Sequence, residues 1–179
     1  MEVLSDILDI TRIESGDLEL NETVIAPNYL VETALRLISD PLEKKAVKLE
    51  VTVPDALPNI TVDARLMRQA LVNTIQNAIK YTPQGGAVTV SLSRDESRQL
   101  ALCAIKDTGI GIPGHQQENL FSKFFRAQNA VKMATEGSGL GLFIVKEILK
   151  RLDGTIAFTS REGEGTTFTV TFPLKSTDR

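Results

Sequence analysis

The sequence predicts an α/β (α+β) domain: a two-layer sandwich in which a mixed, mostly antiparallel sheet packs on three long helices. Two observations predict it. Several segments alternate apolar and polar residues one by one, as strands with one solvated face do. Three long segments instead repeat apolar residues at helical spacing, and the two kinds interleave along the chain. Composition agrees: of 179 residues 42% are hydrophobic and 24% charged, the balance of a globular domain rather than a disordered polymer. That length corresponds to one domain, with at most a short appendage.

Residues 1–14 place Val3, Leu4, Ile7, Leu8 and Thr11 at i, i+3/i+4 spacing, which predicts a helix ended at Ser15-Gly16-Asp17. A stripe this short is not stable alone and needs a partner helix, from this chain or another. Left exposed, it would favour weak self-association. Residues 18–24 read as a short strand. Pro27 opens a helix, since its missing N–H costs nothing in the first turn. That helix is expected to run to about Ala46, disturbed at Pro41. Val47, Leu49, Val51 and Val53 alternate with Lys48, Glu50 and Thr52, a half-buried strand, and Pro54 to Pro58 form a loop.

Asp63 is a good N-cap for a helix from Ala64 to about Tyr81, with Leu66, Met67, Ala70, Leu71, Thr74, Ile75 and Ala78 as its core stripe. Gln84-Gly85-Gly86 is a turn. Val88, Val90 and Leu92 define one strand; Ala101, Cys103, Ile105 and Asp107 share a face of the next. Residues 108–136 follow with only a helical patch near 116–125, and a connection of that length is usually functional. A helix is expected from about Ser138 to Leu152, then strands near 155–160 and 166–173. In the last strand Thr166, Phe168, Val170 and Phe172 face one way.

Several functions are disfavoured at once. Lys and Arg total 20 against 23 Asp and Glu, so nothing in the net charge of −3 invites nucleic acid or an acidic membrane surface. A single cysteine, Cys103, excludes an internal disulfide or a multi-cysteine metal site and reads as core. No run reaches the ~18 apolar residues of a membrane helix. The first residues lack the basic and apolar regions of a signal peptide, so a cytoplasmic, reducing setting is expected. There is one histidine, His115.

Three constellations carry chemistry. Asn73, Asn77 and Lys80 lie at i, i+4 and i+7, one face of a helix, with Tyr81 four residues after Asn77. An amide oxygen suits Mg²⁺ and an ammonium suits phosphate; a solvated helix face fits equally well. Asp107 ends a strand in phase with core residues, where a carboxylate is costly unless a donor pairs it. An adenine amino group is such a donor, whereas guanine presents a carbonyl there and would be repelled; a structural Asp closing a turn is the other reading. Gly109 and Gly111 let the chain turn away sharply. Gly137-Ser138-Gly139-Leu140-Gly141-Leu142 opens a helix whose free N–H groups make an anion site. The spacing is neither a dinucleotide fingerprint nor a P-loop.

Jointly, in order and spacing, these pieces resemble the ATP-binding catalytic domain of the sensor histidine kinases of two-component signalling, in the wider gyrase–chaperone–histidine kinase ATPase superfamily. Asn73 to Thr82 is similar to its asparagine box and Asp107 to Pro113 to its DxGxGIP box. Phe121-Ser122-Lys123-Phe124-Phe125-Arg126 is similar to its phenylalanine box, Gly137 to Leu142 to its second glycine box, and Gly163-Glu164-Gly165-Thr166-Thr167-Phe168 to its GxGTxF end. The resemblance implies domains at 1–17 (end of the second dimerisation helix and linker), 18–174 (ATP-binding catalytic domain) and 175–179 (tail). It implies ATP and Mg²⁺ as cofactors. Asn77 would bind Mg²⁺ with Asn73 supporting it, and Lys80 and Arg126 would meet phosphates. Asp107 would read the adenine amino group, with Tyr81, Ile112 and Thr166 lining the base pocket. Gly109 and Gly111, in the DxGxGIP-like box, would belong to the nucleotide-binding set. Ser138, Gly139, Leu140, Gly141 and Leu142 would form the phosphate-binding helix start, and residues 114–136 a mobile ATP lid.

Residues 7–20, with Arg12-Ile13-Glu14-Ser15-Gly16, resemble the end of the second dimerisation helix. The phosphoacceptor histidine of the family lies on a first helix that this sequence does not contain, and His115 reads as an exposed loop residue. The implied partners are the dimerisation/phosphoacceptor domain of a parent kinase, itself expected to be a homodimer with its membrane anchoring left open, and a response-regulator receiver domain. No nucleic acid and no membrane contact by this segment are implied. The hydrolases of the superfamily carry a water-activating Glu where Asn73 stands, and an amide cannot act as a general base. The resemblance therefore favours phosphoryl transfer to histidine over ATP hydrolysis, with a superfamily ATPase or a regulatory nucleotide-binding module as the alternatives.

Overall fold

A computed structural model describes residues 10–11, 19–38, 42–43, 45–54, 57–134 and 137–174. In chain order the elements are β1 (Thr23–Ile25), α1 (Pro27–Arg36), β2 (Lys48–Thr52), β3 (Ile60–Val62), α2 (Ala64–Tyr81), β4 (Ala87–Asp95) and β5 (Leu100–Asp107). A 3₁₀ turn (Gly114–Asn119), α3 (Gln128–Met133), α4 (Gly141–Arg151), β6 (Thr155–Arg161) and β7 (Gly165–Pro173) complete them. The main sheet has the order β2-β4-β5-β7-β6, and β1 pairs with β3 in a separate ribbon. Among the described residues only the β2–β4 pair is parallel; the β4–β5, β5–β7 and β6–β7 pairs are antiparallel. Parallel neighbours need a crossover connection, and here the crossover contains α2. This is the mixed, mostly antiparallel two-layer sandwich that the sequence predicts.

The register explains the core. Leu92 stands opposite Cys103, and Cys103 opposite Val170. Val90 pairs with Ile105 and Ile105 with Phe168. These side chains are buried, as alternation requires. The helices cover that face: α2 packs on α1, α4 and β5, and α4 on β6. All seven predicted stripe residues of α2 are buried. Its start is held by Asp63, whose side chain accepts from Arg65 N at 3.0 Å and Leu66 N at 3.1 Å, satisfying two donors that a helix start leaves open. Burial pushes the Cys103 thiol up to about 12, so it is an inert core residue.

Several boundaries differ from the expectation. α1 stops at Arg36 rather than near Ala46, because a proline at 41 has no N–H for the carbonyl of Leu37; Leu42, Glu43 and Lys45 are helical again. The first strand is Thr23–Ile25, not 18–24. Ile60–Val62 is a strand that the pattern did not mark, since three residues are too few to display a period. Val51 is exposed, because β2 is an edge strand with little covering it. Of the helix expected over 1–14, only Ile10 and Thr11 lie among the described residues. Both are helical, but Ile10, off the predicted stripe, is buried, and Thr11, on it, is exposed.

Candidate functional site

A cleft opens between α2, the end of β5, the segment after it and the start of α4. Its fixed wall is one face of α2. Asn73, Gln76, Asn77, Lys80 and Tyr81 line it, and each is half-buried. The opposite face of the same helix is locked into the core, so the helical period delivers these side chains to the cleft. Among the described residues, the side-chain amides of Asn73 and Asn77 take no hydrogen bond. The Lys80 ammonium sits 5.7 Å from the Tyr81 ring centroid.

Asp107 closes the inner end. It faces Val88 across the β4–β5 pair, on the buried side of the sheet. Its Oδ1 accepts from Gly109 N at 2.8 Å and from Thr166 N at 3.1 Å. Both of these bonds fall on Oδ1, so among the described residues none is made to Oδ2, and Asp107 lines the cleft. Burial raises the Asp107 carboxyl above its usual range; the two N–H donors lower it again in part. Ser160 on β6 braces the surroundings. Its hydroxyl lies 2.9 Å from Thr166 Oγ1 and accepts from Ile112 N at 2.9 Å.

The outer wall comes from the long connection. Ile112, Ala127 and Ala130 form a small apolar cluster with Tyr81, Ile110, Leu120, Phe125 and Phe158. Asn129 Nδ2 donates to Gly111 O at 2.9 Å and Ile110 O at 3.4 Å. Gln116 Oε1 accepts from Gln128 N at 2.9 Å. The glycine loop passes directly against two cations: a Cβ at Gly137 would lie 2.7 Å from Lys80 Nζ and 3.8 Å from Arg126 Cζ. Gly139 has φ +71°, and a side chain there would meet the Phe124 backbone at 2.7 Å. That left-handed turn delays α4 to Gly141, three residues later than the pattern suggested, and Ser138 Oγ accepts from Leu140 N at 3.1 Å.

The cleft brings together Asn73, Asn77, Lys80, Tyr81, Asp107, Gly111, Ile112, Arg126, Ser138, Gly139, Gly141, Leu142 and Thr166. Two predicted residues do not line it. Gly109 sits behind Asp107, against the Tyr81 carbonyl, and Leu140 is wholly buried in the core. Arg126 lines the cleft while donating to the Ala134 carbonyl. His115 is exposed. The helical patch expected near 116–125 is the 3₁₀ turn, with α3 following it. Sequence reasoning passed over Gln76, although it shares the face of Asn73, and over Asn129, which lies where no period marks a side chain.

An ion at the α2 wall would not find a cage. Among the described residues no group of three or more His, Cys, Asp or Glu is placed to hold a metal. One or two amide oxygens with phosphate oxygens and water completing the shell is an arrangement that suits Mg²⁺, and Asn77 and Asn73 fit it.

Residues 62–176 match the family of histidine kinase-, DNA gyrase B-, and HSP90-like ATPases, and the chain belongs to that family. Within it, the chain's relatives are sensor histidine kinases. It is 35% identical over 176 residues to the sensor histidine kinase WalK of Bacillus subtilis, covering 97% of this chain and 28% of that protein. Full-length ShkA, solved in complex with AMPPNP, matches with a TM-score of 0.82 at 26% identity, over 96% of this chain and 35% of that one. The catalytic domain of the histidine kinase ThkA matches with a TM-score of 0.72 at 25% identity, over 87% of this chain and 96% of that one. The chain thus spans about a quarter of the length of WalK. No helix among the described residues is long and apolar enough to cross a membrane.

Proposed function

We propose that this chain binds Mg-ATP in the cleft and donates the γ-phosphoryl group to a histidine on a dimerisation helix outside this sequence. The observation that carries it is the placement of Asp107. Asp107 is buried and lines the cleft; two backbone N–H groups bond its Oδ1 and, among the described residues, no group bonds its Oδ2, which leaves the acceptor an exocyclic amino group needs and a carbonyl would oppose. Tyr81, Ile112 and Thr166 border the same space. At the other end Lys80, Arg126 and the free N–H groups of the α4 start offer positive potential for phosphates.

In the transfer, the bond from the γ-phosphorus to the β,γ-bridging oxygen breaks and a bond to an imidazole nitrogen forms. The displaced ADP leaves, and the imidazole gives up its proton. Bound Mg²⁺ would neutralise phosphate charge. The chain's own residues hold the nucleotide in line and stabilise charge. Asn73 has no basic atom to activate water, so hydrolysis is expected to be slow. The nucleophile, a response-regulator receiver domain as phosphoryl acceptor, a homodimeric parent and a cytoplasmic setting belong to this same reading, whose kinase part the sensor histidine kinase relatives support.

Calorimetry with ATP and GTP, each with and without Mg²⁺, tests the binding half. Magnesium-dependent ATP binding with GTP excluded is expected; equal binding of both would refute the role of Asp107. Adding a fragment that carries an acceptor helix should yield acid-labile phosphohistidine. Brisk ATP turnover abolished by Asn73→Ala would favour a hydrolase instead.

A further inference from the structure

Lys45 lies in none of the recognised motifs, yet its half-buried ammonium meets the end of α2. It donates to Ile79 O at 3.1 Å, to Thr82 O at 2.8 Å and to the carbonyl of Lys80. An ammonium has three N–H donors, so all three are used on carbonyls at or just beyond the helix end. The last carbonyls of a helix lack partners within it, and a cation there also complements the negative end of the helix dipole. The chain leaves Lys45 through Ala46 at φ 51°, a left-handed conformation that is uncommon for a non-glycine residue.

This turn is where the cleft is hung. Tyr81 O accepts from Ile110 N at 3.1 Å. Gly109 packs so closely on the Tyr81 carbonyl that a side chain there would collide with it. Lys80, one residue earlier, projects to the glycine loop. We propose that Lys45 is a positioning residue of the nucleotide site: by capping the last turn of α2 it sets Lys80, Tyr81 and, through Tyr81, the loop that follows Asp107. The inference rests on the ATP-binding reading for its consequence in affinity, but not for its structural half. Burial, and then the charge of Lys80, hold the Lys45 ammonium below its usual range, consistent with a cation kept close to a second one because its bonds require it.

The test compares Lys45→Met, Lys45→Arg and, as a control for lost stability alone, Leu92→Ala in the distant part of β4. Two quantities are read well below the melting temperature: ATP affinity by calorimetry, and hydrogen exchange of the Ile110 amide by NMR. Lys45→Met should weaken ATP binding about tenfold, the scale of losing charge-assisted hydrogen bonds, and speed Ile110 exchange. Lys45→Arg should recover most of both, and Leu92→Ala should alter neither. Unchanged affinity and exchange in Lys45→Met would overturn the inference, as would equal losses in Leu92→Ala. If the unaltered chain binds no ATP, the ATP reading falls alone: faster Ile110 exchange in Lys45→Met would still support the positioning of the loop, and unchanged exchange would overturn it.

Discussion

The two walls of the cleft are built differently. The α2 wall is one face of an 18-residue helix whose other face is core. The side chains it presents to the cleft inherit their positions from Leu66, Met67, Leu71 and Ile75, each almost fully buried. The outer wall rests on a separate, smaller cluster of Ile112, Ala127 and Ala130 and on side-chain bonds to backbone from Asn129 and Gln117. Exposed Phe124 and Val131 flank it. A region with few buried apolar contacts opens at lower cost than the global fold. On the proposed reading a nucleotide would meet a rigid floor and a cover held by weak, replaceable contacts.

The sharpest way to break this contrast is in the floor. Ile75→Ala should cost about 2–5 kcal/mol of global stability, read by denaturant unfolding, and a loss under 1 kcal/mol would mean that α2 is not anchored as described. Next, Asp107→Asn should weaken ATP binding by roughly 100-fold, because a pocket that pairs its ligand's donor discriminates strongly. The same change should raise the melting temperature at neutral pH. Burial raises the carboxyl in the folded state, so stability is lost as pH climbs from the unfolded value through the raised folded one, and the neutral amide removes that loss. For the intact chain, ATP affinity should fall on acidification at a pH above the ordinary carboxylate value, measured by calorimetry across the acid range.

Effects in the cover should be smaller and local. Asn129→Ala removes two bonds to Gly111 and Ile110, while its Oδ1 is buried without a partner among the described residues. The expected cost is about 1 kcal/mol, seen as faster hydrogen exchange over residues 114–134 with the unfolding midpoint nearly unchanged. The smallest effect belongs to the Arg161–Glu164 pair at 2.7 Å, both side chains mostly exposed. Breaking it with Glu164→Gln should change stability by less than about 0.5 kcal/mol.

Much of the floor was legible before the structure. The α2 stripe, the Asp63 cap and the strand alternation are local periodic signals, and each follows from one geometry, 3.6 or 2 residues per repeat. Asn73, Asn77 and Lys80 were placed on one face by the same arithmetic. The cover was less legible. Gln116 and Gln128 pair across a segment without a period, and Asn129 reaches backbone carbonyls 18 and 19 residues earlier. Nothing in their neighbours marks them.

Sequence alone determined the fold class, the helix wall and the strand that ends in Asp107, because hydrophobic spacing and capping act over a few residues. Only the tertiary structure decided that Asp107 Oδ1 takes a second backbone donor, since Thr166 N arrives from a strand 59 residues away. It also decided that Leu140 turns into the core while its glycine neighbours border the cleft, and that Lys45 caps a helix end 34 to 37 residues further on. Contacts made by chain segments distant in sequence depend on packing geometry, and no local pattern encodes them.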